Sequence, residues 1–205
     1  MRALLIEHGL LAFAASDSIS PIDVDSLART DLGGARLDSL HLTRTEIHGA
    51  CLIGTKFNGA VLDSANLSGD TLDGALFVRA FARGAIFRDA SLRGADLSWA
   101  KLQHADFVGA NLSCALLGEA HVSAAEFEFA IAAWAYFGHT TLTGASNWSA
   151  INTLANANFE LPVDAAAPEI EIAKSKGAVM TRPETLQAWI EAKDAQLRPG
   201  GVCAS

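Results

Sequence analysis

From Leu27 to Leu142 a large apolar residue stands at every fifth position, giving 24 units with no insertion or deletion. In 22 of these units the central residue is Leu, Ile, Val or Phe, and only Ala82 and Ala132 depart. Two residues before the centre, 17 of the 24 positions are Ala, and Thr30, Thr45, Thr55 and Thr140 are also small. A period of five is neither the 3.6 of a helix nor the 2 of a flat strand. Two inward side chains spaced two apart do fit a short extended segment. Glycine recurs two residues after the centre (Gly49, Gly54, Gly59, Gly69, Gly74, Gly94, Gly109), and Asn, Asp and Ser cluster beside it, which suits a turn. A chain turning by a similar angle every five residues closes into a polygonal coil, and successive coils stack through backbone hydrogen bonds. No single unit can bury its apolar pair alone, so stability must come from stacking. The period therefore predicts a narrow β-solenoid whose axis is filled by the large centres.

The units ADLSW (95–99), ADFVG (105–109), ANLSC (110–114) and ANLSG (65–69) resemble the consensus A-(D/N)-L-x-x of the pentapeptide-repeat family, and the likeness runs from residue 25 to 144. That resemblance implies an all-β fold, a right-handed quadrilateral β-helix with four units per coil and about six coils. At the sheet spacing such a shaft would be on the order of 30 Å long. Its two ends would expose unpaired backbone and apolar centres, so both call for caps. The chain divides accordingly into a capping segment at 1–24, the solenoid at 25–146, an end coil and linker at 147–166, and C-terminal helices with a tail at 167–205. A short helix is expected from Pro168, stopped by Gly177. A second follows Thr181 as N-cap, with Pro183 near its start and Glu184 completing a capping box. Leu186, Trp189 and Ile190 give that helix one apolar face, to pack on the last coil or on a second subunit. In the family it resembles such helices serve dimers, so a homodimer through this helix stands beside capping within the chain.

Composition narrows the function. Half of the 205 residues are hydrophobic, enough for a core, and the net charge of −8 opposes direct nucleic-acid binding by the surface as a whole. Cys51, Cys114 and Cys203 form neither a disulfide framework nor a CxxC pattern, which points to a reducing, cytoplasmic setting or to no redox role. No apolar run is long enough to span a membrane. The opening MRALLIEHGLLAFAAS is similar to a signal peptide, but Glu7 and His8 interrupt its apolar stretch. It is read as an end cover, with secretion as the alternative. His41 and His121 share a column of the solenoid but lie four coils apart, too far to share an ion. His104 has no carboxylate or cysteine in its column and His139 has Glu119 alone, too few ligands for an ion, so no metal is expected. The glycines occupy turns and form no phosphate-binding loop. Glu126 and Glu128 flank Phe127 and face outward, whereas acid–base catalysis needs a sheltered pocket. No catalytic residue, cofactor or enzymatic activity is expected. Asp70 is the odd inward residue, and a local turn hydrogen bond is the expected way to satisfy it.

Function on such a shaft must lie on its outward positions. Leu76, Val78, Phe81, Trp99, Leu116 and Tyr136 read as a contiguous apolar strip for a protein partner. Phe129, Ile131 and Trp134, on other faces of the last coil, are expected under the C-terminal helices, where with Leu186, Trp189 and Ile190 they would form a capping or oligomer interface. The reading that follows is a non-enzymatic, rigid protein–protein interaction scaffold, bacterial by resemblance. The alternative comes from a subset of the family that resembles acidic rods mimicking DNA, binds gyrase or other topoisomerases and confers antibiotic protection. Residues 25–144 carry 13 Asp/Glu against 9 Lys/Arg, and Arg79, Arg83, Arg88, Arg93 and Lys101 interrupt the middle of the shaft with positive charge. A DNA mimic must replace a dense row of phosphates, so the scaffold ranks first.

Overall fold

The structure, a computed structural model, describes residues 27–145, 150–159, 167–179 and 183–196. The N-terminal segment 1–24, Thr181 and Cys203 lie outside the described residues, and so do the side chains of Glu184 and Leu186.

Each five-residue unit closes on itself through one turn. The N–H three residues after a centre donates back to the centre's carbonyl, as in Ala95 to Leu92 (3.1 Å) and Ala105 to Leu102 (3.0 Å). At every one of the 24 positions two residues after a centre, from Arg29 to Gly144, φ is positive. Positive φ at that position alone is the signature of a type II turn. Glycine meets this demand in ten units, but the other fourteen hold ordinary L-residues in the left-handed region, Arg79, Trp99, Phe129 and Trp134 among them. The repeat therefore imposes a conformation that the local residue type often resists.

Between turns, each wall is a ladder of single parallel bridges spaced twenty residues apart, such as Ser91 to Asn111 and Asn111 to Ile131. Four units thus make one coil, as the resemblance implied. Each rung is too short for a conventional strand. The Leu92 N–H donates to Asn111 O (2.8 Å), and the Asn111 N–H donates to Ala90 O (2.9 Å), so both edges of a rung are used. The preference for Asp or Asn before the centre also has a cause. Asp96, Asp106 and Asn111 each accept the N–H two residues on, from Ser98 (2.9 Å), Val108 (2.9 Å) and Ser113 (3.1 Å), satisfying a donor at the bend.

The centres and the small residues before them fill the axis, and from Phe57 to Phe137 every centre is fully buried. Phe77 and Phe87 lie on opposite walls and meet edge-on, 5.8 Å between centroids. Along the walls the rings stack, Phe57 on Phe77 at 4.8 Å and Phe87 on Phe107 on Phe127 at 5.0 and 5.2 Å. Ala82 and Ala132 are the two centres flanked on both sides along the chain by phenylalanine, at 77 and 87 and at 127 and 137. The departures from the repeat are thus volume compensation in a close-packed core.

Past Ala145 the coil continues with a shifted register. Ile131 pairs with Thr153 and Tyr136 with Asn158, an offset of 22 instead of 20. Leu154 and Phe159 become the new centres, both buried, and Phe159 stacks on Phe137 at 4.7 Å. Helix α1 (Ala167–Ser175) then covers the open end, with Ala173 buried against the core. It stops as expected at Gly177, whose φ is +89°. The Ala178 N–H reaches Ala173 O (3.1 Å) and the Gly177 N–H reaches Lys174 O (2.9 Å), the paired bonds of a Schellman ending. The chain leaving α1 lays one more rung on the shaft, Val179 against Asn158. Helix α2 (Pro183–Gln196) follows.

Two expectations need correction. Asp70 is not held by its own turn. Its Oδ1 accepts the Ala50 N–H at 2.7 Å from the preceding coil, while Oδ2 has no partner among the described residues. Burial, opposed by backbone hydrogen bonds from Ala50 and Gly49, pushes this carboxyl up from 3.8 to about 7. The cysteines also depart from the reading without disulfides: Cys51 is free, but Cys114 is disulfide-bonded.

Candidate interaction surface

With the axis filled, outward side chains are what the shaft offers a partner. The ladder fixes their neighbours. Leu76 bridges to Asp96, Asp96 to Leu116, and Leu116 to Tyr136. A carboxylate therefore lies between Leu76 and Leu116, and the strip expected from Leu76 to Tyr136 is not contiguous. Asp96 belongs there because its Oδ1 caps Ser98, a local demand that outward spacing alone does not reveal.

The strip separates into two parts. At the C-terminal end, Tyr136 is met by Trp189 of α2 within the same chain, 5.8 Å between ring centroids, and Trp189 also approaches Trp134 at 6.5 Å. The Trp189 indole N–H donates to Asn156 O at 2.9 Å, and the residue is almost wholly buried. The seat depends on two glycines that the repeat pattern does not explain. A Cβ on Gly118 would come within 2.9 Å of Tyr136 Cε1, and one on Gly138 would overlap the phenol, so both allow the ring to lie flat on the wall. Of the remaining residues assigned to this end, Ile131 is half-buried, Phe129 stays 54% exposed and Ile190 is 37% exposed. Phe129 is thus not covered in the way expected for it.

The second part lies mid-shaft, at the corner between the Phe77 and Ala82 walls. Trp99 is 52% exposed at a turn with φ of 63°. Arg79 occupies the same corner one coil earlier, and its N–H donates to Ser98 O (3.0 Å). Phe81 bridges to Lys101, whose Nζ stands 4.5 Å above the Phe81 ring in a cation–π contact. Arg83 is exposed two residues further along. Val78 is half-buried beside this group. The basic residues that follow belong to other walls, and Arg88 is held by Asp106 (Nε to Oδ2, 3.1 Å). Among the described residues no group of three His, Cys, Asp or Glu is placed to hold a metal ion, and no helix is long and apolar enough to cross a membrane.

A family model described as pentapeptide repeats matches this chain in eight copies, over residues 26–59, 42–77 and 72–107. The twenty-residue ladder and the turn at every fifth residue carry the same pattern on to residue 145. The chain is a pentapeptide-repeat protein. Its fold class is the β-helix of that family, with four units to each coil. Among solved structures it is similar to a pentapeptide-repeat protein of the Arabidopsis thaliana thylakoid lumen, at 24% identity and a TM-score of 0.43, covering 81% of this chain and 88% of that one. It is similar also to HetL of Nostoc sp. strain PCC 7120, involved in regulating heterocyst differentiation, at 24% identity and a TM-score of 0.43, covering 76% and 68%. A third is QnrB1, a plasmid-mediated fluoroquinolone resistance protein, at 19% identity and a TM-score of 0.40, covering 84% and 93%. No match was found among the curated proteins.

Proposed function

We propose that this pentapeptide-repeat protein is a non-enzymatic scaffold that presents a rigid outward surface to a protein partner. The observation that carries the reading is Trp99. It is a large aromatic side chain, 52% exposed, at a turn locked by the coils on either side, in a conformation that disfavours its own residue type. Holding a non-glycine residue there costs on the order of 1 kcal/mol. A half-exposed aromatic held at such a cost suits an interface, where Trp commonly dominates binding. The filled axis supports the same view, since the rows of Phe and Leu leave the outside as the working surface.

Binding to a topoisomerase as a DNA mimic is the weaker reading. Arg79, Arg83, Arg88 and Arg93 fall within one coil and put a positive charge on every side of the shaft, which breaks any row of carboxylates. The test is affinity capture from source-cell lysate with wild type and with Trp99→Asp/Leu116→Asp. A partner recovered by wild type and lost with the variant supports the scaffold. Recovery of gyrase or topoisomerase IV subunits moves the alternative ahead, and equal recovery with both proteins removes this surface from the interface.

A further inference from the structure

Resting on that reading, we infer that the corner formed by Arg79, Phe81, Arg83, Trp99 and Lys101 takes a short acidic segment of a partner protein. The protein as a whole is strongly acidic, yet three cations gather here. None of Arg79, Arg83 and Lys101 has an ion-pair partner among the described residues, whereas Arg36 is paired with Asp38 and Arg88 with Asp106. Carboxylates are available nearby but are committed or set aside. Asp63 accepts the Arg83 backbone N–H (2.8 Å), Asp96 caps Ser98, and Glu119 stands one coil beyond Trp99.

The chemistry of the occupant follows from the mixture. Guanidinium and ammonium groups without carboxylate partners, set around two aromatic rings, suit carboxylates interleaved with apolar side chains. Arginine offers a bidentate fork to each carboxylate, and Trp99 supplies the desolvated anchor. Size argues against nucleic acid. The cations span two coils, about 10 Å at the sheet spacing, with Asp63, Asp96 and Glu119 on the border. A phosphate backbone would run past the patch into those carboxylates and the acidic remainder of the surface, whereas a short peptide would not.

Fluorescence anisotropy tests this on the full-length protein with three labelled probes: a short Asp/Glu-rich peptide containing one Phe, its Lys-substituted counterpart, and an oligo(dT) of matched length. The acidic peptide should bind, more weakly as salt is raised. Arg83→Glu/Lys101→Glu should weaken it by about tenfold or more, an effect typical of a lost charge pair. Trp99→Ala should also weaken it, and Arg88→Glu on the neighbouring wall should leave it unchanged. These substitutions are at outward positions, and a melting curve for each confirms that the fold is kept. Absence of acidic-peptide binding, equal binding of the Lys peptide, tighter binding of oligo(dT), or insensitivity to the double variant would each overturn the inference. If the peptide fails while Trp99→Asp/Leu116→Asp still loses the captured partner, the inference falls and the scaffold reading stands.

Discussion

Phe107, in the middle of the shaft, is stacked between Phe87 and Phe127 at 5.0 and 5.2 Å, whereas Phe159 on the last full rung has Phe137 on one side at 4.7 Å and only a further rung at Val179 beyond. The two residues do the same job in the same kind of unit. Mid-shaft, each unit is supported from both sides by units like itself. At the end that support comes from elements outside the repeat: the rung at Val179, the buried Ala173 of α1, and Trp189 of α2 on Tyr136. In a linear array, stability is close to a sum of units and nearest-neighbour contacts. The middle should therefore unfold only with the whole, and the end should open by itself.

The largest expected effect breaks the middle. Phe107→Ala removes a ring held on both faces and should cost about 3–5 kcal/mol in guanidinium unfolding. Trp189→Ala at the end should cost much less, and its effect should be confined to faster hydrogen exchange at Asn156, Asn158 and Val179. Equal global losses from the two variants would remove the contrast.

Asp70 gives the next effect. Its folded-state value is raised from 3.8 to about 7, so the folded chain holds the proton more tightly than the unfolded chain. That contribution is fully present below pH 3.8 and is lost as pH rises through 7, on the order of 2–4 kcal/mol in all. Melting curves from pH 4 to 8 should show wild type losing stability relative to Asp70→Ala, which restores the alanine of the repeat. Parallel pH profiles for the two proteins would contradict the assignment.

Ala82→Leu sharpens the packing argument, since it overfills a site between Phe77 and Phe87 and should cost about 1–3 kcal/mol. Phe87→Leu in the same chain should recover part of that loss in the same unfolding assay. A neutral Ala82→Leu would mean that the alanine is not compensating for its neighbours.

The middle was largely legible because one rule repeats there. Period, inward pair and turn each follow from spacing, and the twenty-residue coil was implied by the family resemblance. What spacing could not show was which outward residues already have work. Asp96 reads as one polar residue in an apolar column until its bond to Ser98 is seen, and that bond divides the expected strip. Gly118 and Gly138 look like ordinary outward positions until the Tyr136 ring is found lying across them. The end was less legible for a related reason. The landing of Trp189 on Asn156 depends on a contact distant in sequence, and no periodicity encodes it. Asp70 was singled out correctly as anomalous, but its partner lies twenty residues away in the preceding coil instead of in its own turn.

The claim at the centre of this account is that the inward residues hold the shaft while the outward corner at Trp99 does its work. Melting temperature and partner capture, measured side by side for Trp99→Asp and Phe107→Ala, test it most directly. Trp99→Asp should melt within a few degrees of wild type and lose the captured partner, while Phe107→Ala should melt far lower and still capture that partner at temperatures where it remains folded. Full retention of the partner by Trp99→Asp, at an unchanged melting temperature, would contradict it.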